Sequence, residues 1–380
     1  MAQLPSHMRA LVYDGSHSKV ETIPTPQPTP GTAVVRVLST KVNPYTREVF
    51  WEEGSNVPNR KYPFPTPIVP GSSGIARVAA VGADSTKLRP GDLVFLSNTI
   101  SSRDNPSDIL VAGLLQGYTE GSKKLMTEVY RNWTFAEYCL VPLENICRLN
   151  EKRLTGDTKD GGLGYTIHEL TYVGSLAVPY GGLVGIDLKA GETIIVAPAT
   201  GSYGGAAVAM ALSIGAKVIA LGRNEEALKK LRQQLPNSER LHVVAMSGDM
   251  ATDLASLRSF GPIDAFLDIG PPGAAKSTHI KSSILATGQG ARISLMGGYL
   301  EDIPIPHVDI MGANKKLFGK MMYERADVER LFKMIEAGTL KIGRAGGVEV
   351  VGKHKLEGWR DAWEDAARHS TFGQQVVIAP

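Results

Sequence analysis

The chain has 380 residues, beyond the roughly 250–300 at which a single hydrophobic core stops growing, so two domains are the default expectation. Hydrophobic residues make up 43% of it and charged residues 21%, an ordinary globular balance that excludes a largely disordered chain. The 41 basic and 38 acidic side chains leave a formal net charge of +3, scattered without blocks of one sign, which argues against nucleic-acid and membrane partners.

Residues 1–8 carry no apolar stretch behind basic residues, and no run of about 18 apolar residues occurs, so a cytoplasmic protein is expected. From residue 8 to 149 the pattern is short and strand-like, at 9–13, 33–38, 75–81, 93–96 and 135–141. Pro- and Gly-rich turns at 24–31 and Pro90-Gly91-Asp92 separate these runs, as an irregular β-rich domain requires. The two cysteines, Cys139 and Cys147, stand in apolar runs at 136–141 and 146–149, suited to buried positions in a reducing compartment. No disulfide framework is available.

The period changes after about residue 171. A strand at 192–197 precedes a helix at 206–214, a strand at 217–221 and a helix at 225–234, and further strands follow at 241–245, 265–269, 292–295 and 316–319. This βα alternation predicts an α/β fold with a Rossmann-type, doubly wound parallel sheet. The last stretch reads as helices at 327–337 and 357–369 and a closing strand at 374–379 that rejoins the first domain.

The segment from Ile194 to Gly205 joins a hydrophobic strand, a small-residue turn and an Ala-rich helix. Its residues Ala199, Thr200, Gly201, Ser202, Tyr203 and Gly204 suit a pyrophosphate, which needs close backbone approach and N–H groups at a helix start. Ala199 stands where a strict G-x-G-x-x-G fingerprint has its first glycine, so the turn alone is also compatible with a plain strand-to-helix connection. The second strand ends Leu221-Gly222-Arg223-Asn224, with no acidic residue to hold a ribose 2′-hydroxyl. Gly222 leaves space and Arg223 offers a fork of donors suited to the 2′-phosphate of NADPH; the alternative is a solvated arginine at a helix start.

Taken together, Val42-Asn43-Pro44, Ile68-Val69-Pro70-Gly71-Ser72-Ser73-Gly74, Pro90-Gly91-Asp92-Leu93-Val94, Thr134-Phe135-Ala136-Glu137-Tyr138, Val178-Pro179-Tyr180-Gly181-Gly182-Leu183 and the 199–204 turn resemble the medium-chain dehydrogenase/reductase superfamily. The resemblance covers nearly the whole chain. It implies a GroES-like β-rich catalytic domain (1–175 plus 321–380) into which a Rossmann domain (176–320) is inserted, with the active-site cleft between them. Zinc members carry a Cys in the segment after the second strand and a Gly-His-Glu before the fourth. Here those segments read Asn43-Pro44-Tyr45-Thr46 and Gly71-Ser72-Ser73, and 97–132 lacks the four cysteines of the structural zinc lobe, so no metal is expected. The likeness is to the zinc-independent quinone oxidoreductase and enoyl reductase branches.

Without a Lewis acid, the chemistry rests on holding the nicotinamide against an electrophilic carbon and stabilising the charge that develops on the substrate. Tyr45 and Thr46 follow Asn43-Pro44 where relatives place cleft residues; Tyr45 either donates to the substrate oxygen or simply packs there. The resemblance further implies that Tyr180 lies near the nicotinamide, unless it is a core aromatic, and that Gly270, Met296, Gly297 and Gly298 line the cofactor. Segment 99–132 is read as a cleft cap, a dimer contact or a surface excursion. The reading that follows is an NADPH-dependent reductase of an activated C=C, C=O or C=N bond in a small organic molecule, with a homodimer implied by the resemblance. The rivals are a carbonyl reductase or alcohol dehydrogenase that has lost its zinc, and a non-catalytic NADPH-binding protein or megasynthase partner.

Overall fold

The computed structural model describes residues 4–380; residues 1–3 of the N-terminal stretch read above lie outside them. The chain divides into two compact units. One holds the described residues up to Gly174 with Glu349–Ser370 and Gln374–Pro380, and the other holds Ser175–Val348 with Thr371–Gly373. No described helix is long and apolar enough to cross a membrane.

The first unit is built on a seven-stranded sheet. Its strands run in the order Glu349–His354, Gln374–Ile378, Thr32–Lys41, Gly74–Val81, Leu93–Leu96 and Ile146–Arg148, and Tyr138–Pro142 also pairs with Thr32–Lys41. That central strand is rich in β-branched residues and buried along nearly its whole length, because three neighbours and the elements above them cover both of its faces. The closing strand does join this sheet, with Val377 opposite Lys41. A hairpin of His7–Tyr13 and Ser18–Pro24 stands beside it.

Three readings shift. The strand expected at 135–141 is Tyr138–Pro142, because the preceding backbone is spent on other segments: Phe135 N–H donates to the Pro70 carbonyl at 3.0 Å and Leu11 N–H to the Phe135 carbonyl at 2.8 Å. Cys139 is buried as expected, but Cys147, in the outer strand Ile146–Arg148, is only partly so. The segment 99–132 is structured, with a hairpin of Thr99–Ser101 and Ile109–Val111 and a helix Glu120–Glu128. Thr119 caps that helix in a reciprocal box with Ser122. Beneath it Leu110, Met126 and Trp133 are fully buried.

The second unit carries six parallel strands in the order Leu241–Ala245, Lys217–Gly222, Thr193–Ala197, Ala265–Asp268, Arg292–Leu295 and Lys316–Gly319. This is the doubly wound order, and its direction reverses between Thr193–Ala197 and Ala265–Asp268, the place where such sheets bind ligands. Ile195, Ile219, Phe266, Ile280, Ile284 and Ile293 form the core on one face. The expected domain boundary at 321 differs from the division at Val348/Glu349. The reason is packing: a Cβ on Gly181 would stand 2.3 Å from the Met322 carbonyl oxygen, and the helix Arg325–Glu336 buries Val328, Leu331, Phe332 and Ile335 within this unit.

One buried charge in the first unit tests the fold. Lys41 is only 4% exposed, and burial pushes its amine down from 10.5 to about 7. In the unfolded chain that amine keeps its proton up to 10.5, so the penalty is complete at pH 7 and below and shrinks as pH rises toward 10.5. Lys41→Met is expected to stabilise the protein by ~1–4 kcal/mol near pH 7, with the gain fading toward pH 10. Urea unfolding followed by circular dichroism across that range checks this; a gain independent of pH would refute it.

Candidate cofactor and catalytic sites

At the carboxyl edge of the parallel sheet, the strand Thr193–Ala197 leads through Pro198, Ala199 and Thr200 into the helix Ser202–Ile214, with Gly201 at its N-cap. No side chain caps this helix, so its first turn of N–H groups presents the positive end of the helix dipole without a capping oxygen. A Cβ on Gly201 would meet nothing within 4 Å, which leaves open space in front of those groups. Gly204 is constrained differently: a Cβ there would lie 2.0 Å from the Pro198 carbonyl oxygen, so only glycine lets helix and strand end close this tightly. Ala199 N–H donates to the Leu221 carbonyl at 2.9 Å, tying the turn to the next strand. That bond explains why Ala199 is fully buried and why a side chain there does no harm.

That next strand, Lys217–Gly222, ends on a buried Gly222 whose added Cβ would touch Thr200 and Leu228 at 3.3–3.4 Å. Arg223 follows, exposed and in no ion pair with any described residue. Asn224 has a local task, because its Oδ1 accepts from the Ala227 N–H at 2.9 Å and caps the helix Glu225–Gln234.

The loops after the strands Ala265–Asp268 and Arg292–Leu295 are braced by one carboxylate. Asp268, 1% exposed, accepts from the Gly270 N–H at 3.2 Å, the Gly297 N–H at 3.1 Å and the Tyr299 hydroxyl at 2.7 Å. His279 Nε2, on a fully buried ring, stands 3.1 Å from the same oxygen that Tyr299 uses. Gly298 N–H donates to the Gly270 carbonyl at 3.0 Å, so the two loops are also joined directly. Burial and the neighbouring Asp268 charge push the Tyr299 phenol far up, which keeps it a donor. Met296 packs against Gly182, where a Cβ would reach its Sδ at 2.2 Å. Tyr180 lies on the same helix as Gly182, is 7% exposed and has its phenol raised by burial, which favours the core-aromatic reading for it.

In the first unit, Tyr45 is half-buried at the start of the short helix Thr46–Val49. Its ring meets that of Tyr62 edge-on at 6.3 Å. Thr46 is buried and its hydroxyl donates to the Asn43 carbonyl at 2.8 Å, which closes the turn and spends the proton locally. Of the two candidate hydroxyls, that of Thr46 is thus engaged within its own turn. Ser72, in the segment that carries a histidine in zinc members, is held by its backbone: its N–H donates to Thr134 Oγ1 at 3.0 Å, and its carbonyl accepts from the Trp133 indole at 3.0 Å.

Comparison with known proteins agrees with these two architectures. The alcohol dehydrogenase GroES-like domain family matches residues 29–151. A thermostable alcohol dehydrogenase from Pyrobaculum aerophilum superposes with a TM-score of 0.69 at 20% identity, over 98% of this chain and 100% of that one. The chain has the fold of this alcohol dehydrogenase structure, a GroES-like domain with a Rossmann-type parallel sheet. A structure described as a candidate zinc-binding dehydrogenase from Sinorhizobium meliloti 1021, bound to NADP, gives a TM-score of 0.73 at 18% identity over 99% of this chain and 100% of that one. In sequence the chain is similar to L-threonine 3-dehydrogenase from Saccharopolyspora erythraea, 24% identical over 331 residues, 83% of this chain and 85% of that protein. The Pyrobaculum enzyme is also known with cobalt and zinc bound. Among the described residues of this chain, no group of three or more His, Cys, Asp or Glu side chains could hold a metal ion.

The turn residues and the loop glycines named from the sequence all lie at one sheet edge of the second unit. Sequence reading missed Asp268, His279 and Tyr299, and also Phe372, whose N–H donates to the Thr200 carbonyl at 3.2 Å and whose ring lies against Gly205. The one signal for Phe372 is the second glycine of Gly204-Gly205, where a Cβ would collide with that ring at 2.3 Å.

Asp268→Asn tests the brace. An amide can accept through only one oxygen, so at least one of the buried donors loses its partner, at a cost of about 2–3 kcal/mol. Urea unfolding is expected to show that loss together with weaker nicotinamide nucleotide binding by fluorescence titration. An unchanged midpoint would mean that the loops hold without the carboxylate.

Proposed function

We propose that the protein is a zinc-independent, NADPH-dependent oxidoreductase that reduces an activated C=C, C=O or C=N bond in a small organic substrate. The observation that carries this reading is the sheet edge of the second unit, where an uncapped helix N-terminus facing open space stands beside an unpaired Arg223. These groups fit NADPH: Gly201, Ser202 and Tyr203 would hold the pyrophosphate, and Arg223 the 2′-phosphate. Gly270, Gly297 and Gly298 supply the loops along the rest of the dinucleotide. When bound, the cofactor supplies a hydride, and the protein supplies orientation and hydrogen bonds.

On the first unit, the Tyr45 hydroxyl donates a hydrogen bond to the substrate oxygen, stabilising an enolate or delivering the proton to an alkoxide. Asn43 and the Ser72-Ser73 pair support zinc independence, since neither offers the thiolate or imidazole that zinc members use. A second reading is favoured by the similarity to alcohol and L-threonine dehydrogenases: the same site run toward alcohol oxidation, with Tyr45 accepting rather than donating the proton. A cytoplasmic location belongs to this reading, on two free thiols.

A homodimer completes the proposal. The edge strand Lys316–Gly319 has one sheet neighbour, and Leu300, Val308 and Met311 are 88%, 76% and 63% exposed on the same unit. Exposed apolar side chains with an open strand edge are what a second copy would cover.

The test is titration of chelator-treated protein with NADPH and NADH, followed by NADPH oxidation over quinones, enones, ketones and imines. Tight NADPH binding with turnover is expected; no binding of either nucleotide would refute the reading, and binding without turnover would favour a non-catalytic role. Arg223→Ala should weaken NADPH binding about tenfold or more and NADH binding little, since only NADPH has a 2′-phosphate to lose. Equal losses would remove Arg223 from phosphate recognition. Tyr45→Phe should lower kcat by about 10²-fold while NADPH affinity holds, and unchanged turnover would take Tyr45 out of the mechanism.

A further inference from the structure

Beside Tyr45 stands a cation that nothing in the fold explains. The Arg60 guanidinium carbon lies 4.3 Å from the centroid of the Tyr45 ring and 5.4 Å from that of Tyr62. Its backbone is pinned to the same turn, because Arg60 N–H donates to the Glu48 carbonyl at 2.8 Å and Glu48 N–H to the Tyr45 carbonyl at 3.0 Å. Segment 99–132 supports this loop from the other side, Gln116 N–H donating to the Pro63 carbonyl at 2.9 Å. The guanidinium is thus attracted to both rings by cation–π interaction.

What the fold does not supply is an anion. Arg60 forms no ion pair and no side-chain hydrogen bond with any described residue, and its Nε is buried without a partner. Leaving that Nε–H desolvated is costly, and the outer guanidinium nitrogens carry a charge that no carboxylate of the described residues answers. Arg47, close by on the helix Thr46–Val49, also has a buried Nε without a partner, but its charge is answered by Glu364.

We propose that Arg60 is the substrate-anion site of the enzyme, binding a carboxylate carried by the substrate and so presenting the substrate's reducible group to the Tyr45 hydroxyl. This rests on the functional reading above and names its substrate class: a carboxylic acid that also bears the activated double bond. A planar guanidinium fork matches a carboxylate in two parallel hydrogen bonds, and one fixed cation balances one negative charge. Tyr62 acts as a positioning residue, since it meets the substrate only through Arg60. The reduction would balance with the hydride supplied by bound NADPH and the proton by the medium through Tyr45, the carboxylate on Arg60 being unchanged.

The test compares 4-oxo-4-phenylbut-2-enoate with its primary amide as NADPH-dependent substrates of the full-length protein. The wild type is expected to favour the acid by about tenfold or more in kcat/KM, and Arg60→Met to bring that ratio to within about twofold, mainly by raising KM for the acid. Arg60→Lys should retain part of the preference, and circular dichroism checks that both variants fold. A wild type without acid preference, or a ratio untouched by Arg60→Met, overturns the proposal. If neither probe is turned over, it is the functional reading that fails. Calorimetric binding of 4-phenylbutanoate and its amide to the NADPH-loaded protein then tests Arg60 by itself. Acid-selective binding abolished by Arg60→Met supports it, and binding indifferent to charge overturns it.

Discussion

Close backbone approach at a single turn organises the second unit. Between the strand Thr193–Ala197 and the helix Ser202–Ile214, Gly204 sits so near the Pro198 carbonyl that a methyl group would stand 2.0 Å from it. The helix can then start directly over the strand end, with its N–H groups uncapped and pointing past the sheet. The turn also leans on the second strand through Ala199 and is covered by Phe372, so its backbone is held by contacts within the unit itself. Preorganisation of this kind is what allows an anion site without a positively charged side chain at its centre.

A second device serves the neighbouring loops. Asp268 closes the strand Ala265–Asp268 and gathers donors from Gly270, Gly297 and Tyr299, so one buried charge takes the place of many weaker contacts in irregular backbone. Such a charge is tolerable only because it is satisfied on several sides, and glycine at 270 and 297 is the condition for that. A Cβ at Gly270 would strike the Tyr299 hydroxyl at 1.9 Å, and one at Gly297 the Asp268 carboxylate at 2.4 Å. The first unit handles charge in the opposite manner near Tyr45, where Arg60 is surrounded by rings and given no counter-charge.

Legibility differed between the units for a physical reason. In the second, the strands at Leu241–Ala245, Arg292–Leu295 and Lys316–Gly319 and the helix Glu225–Gln234 match the sequence expectation residue for residue. Repeated βα units bury each strand from both sides, so the apolar runs are continuous and their ends abrupt. In the first unit, backbone around 134–137 bonds to three separate segments, and no local pattern reports such long-range pairing. The helix Arg325–Glu336 was legible as a helix, but its allegiance was not, since an amphipathic stripe does not say which core it covers.

By itself the sequence determined the α/β architecture, the strand-to-helix turn with its glycines, the run Gly222-Arg223-Asn224 without an acidic residue directly after Leu221, and the lack of cysteine or histidine in 43–46 and 71–73. These are local facts: each depends on residue type at one place or on a period of a few residues. Only the tertiary structure decided that Asp268, His279 and Tyr299 share one network, that Thr46 spends its hydroxyl on Asn43, that Phe372 returns to the turn, and that Arg60 lies over Tyr45 without a carboxylate. Each of these joins residues whose adjacency, or whose partner, is set by packing, and packing leaves no periodic trace in the chain.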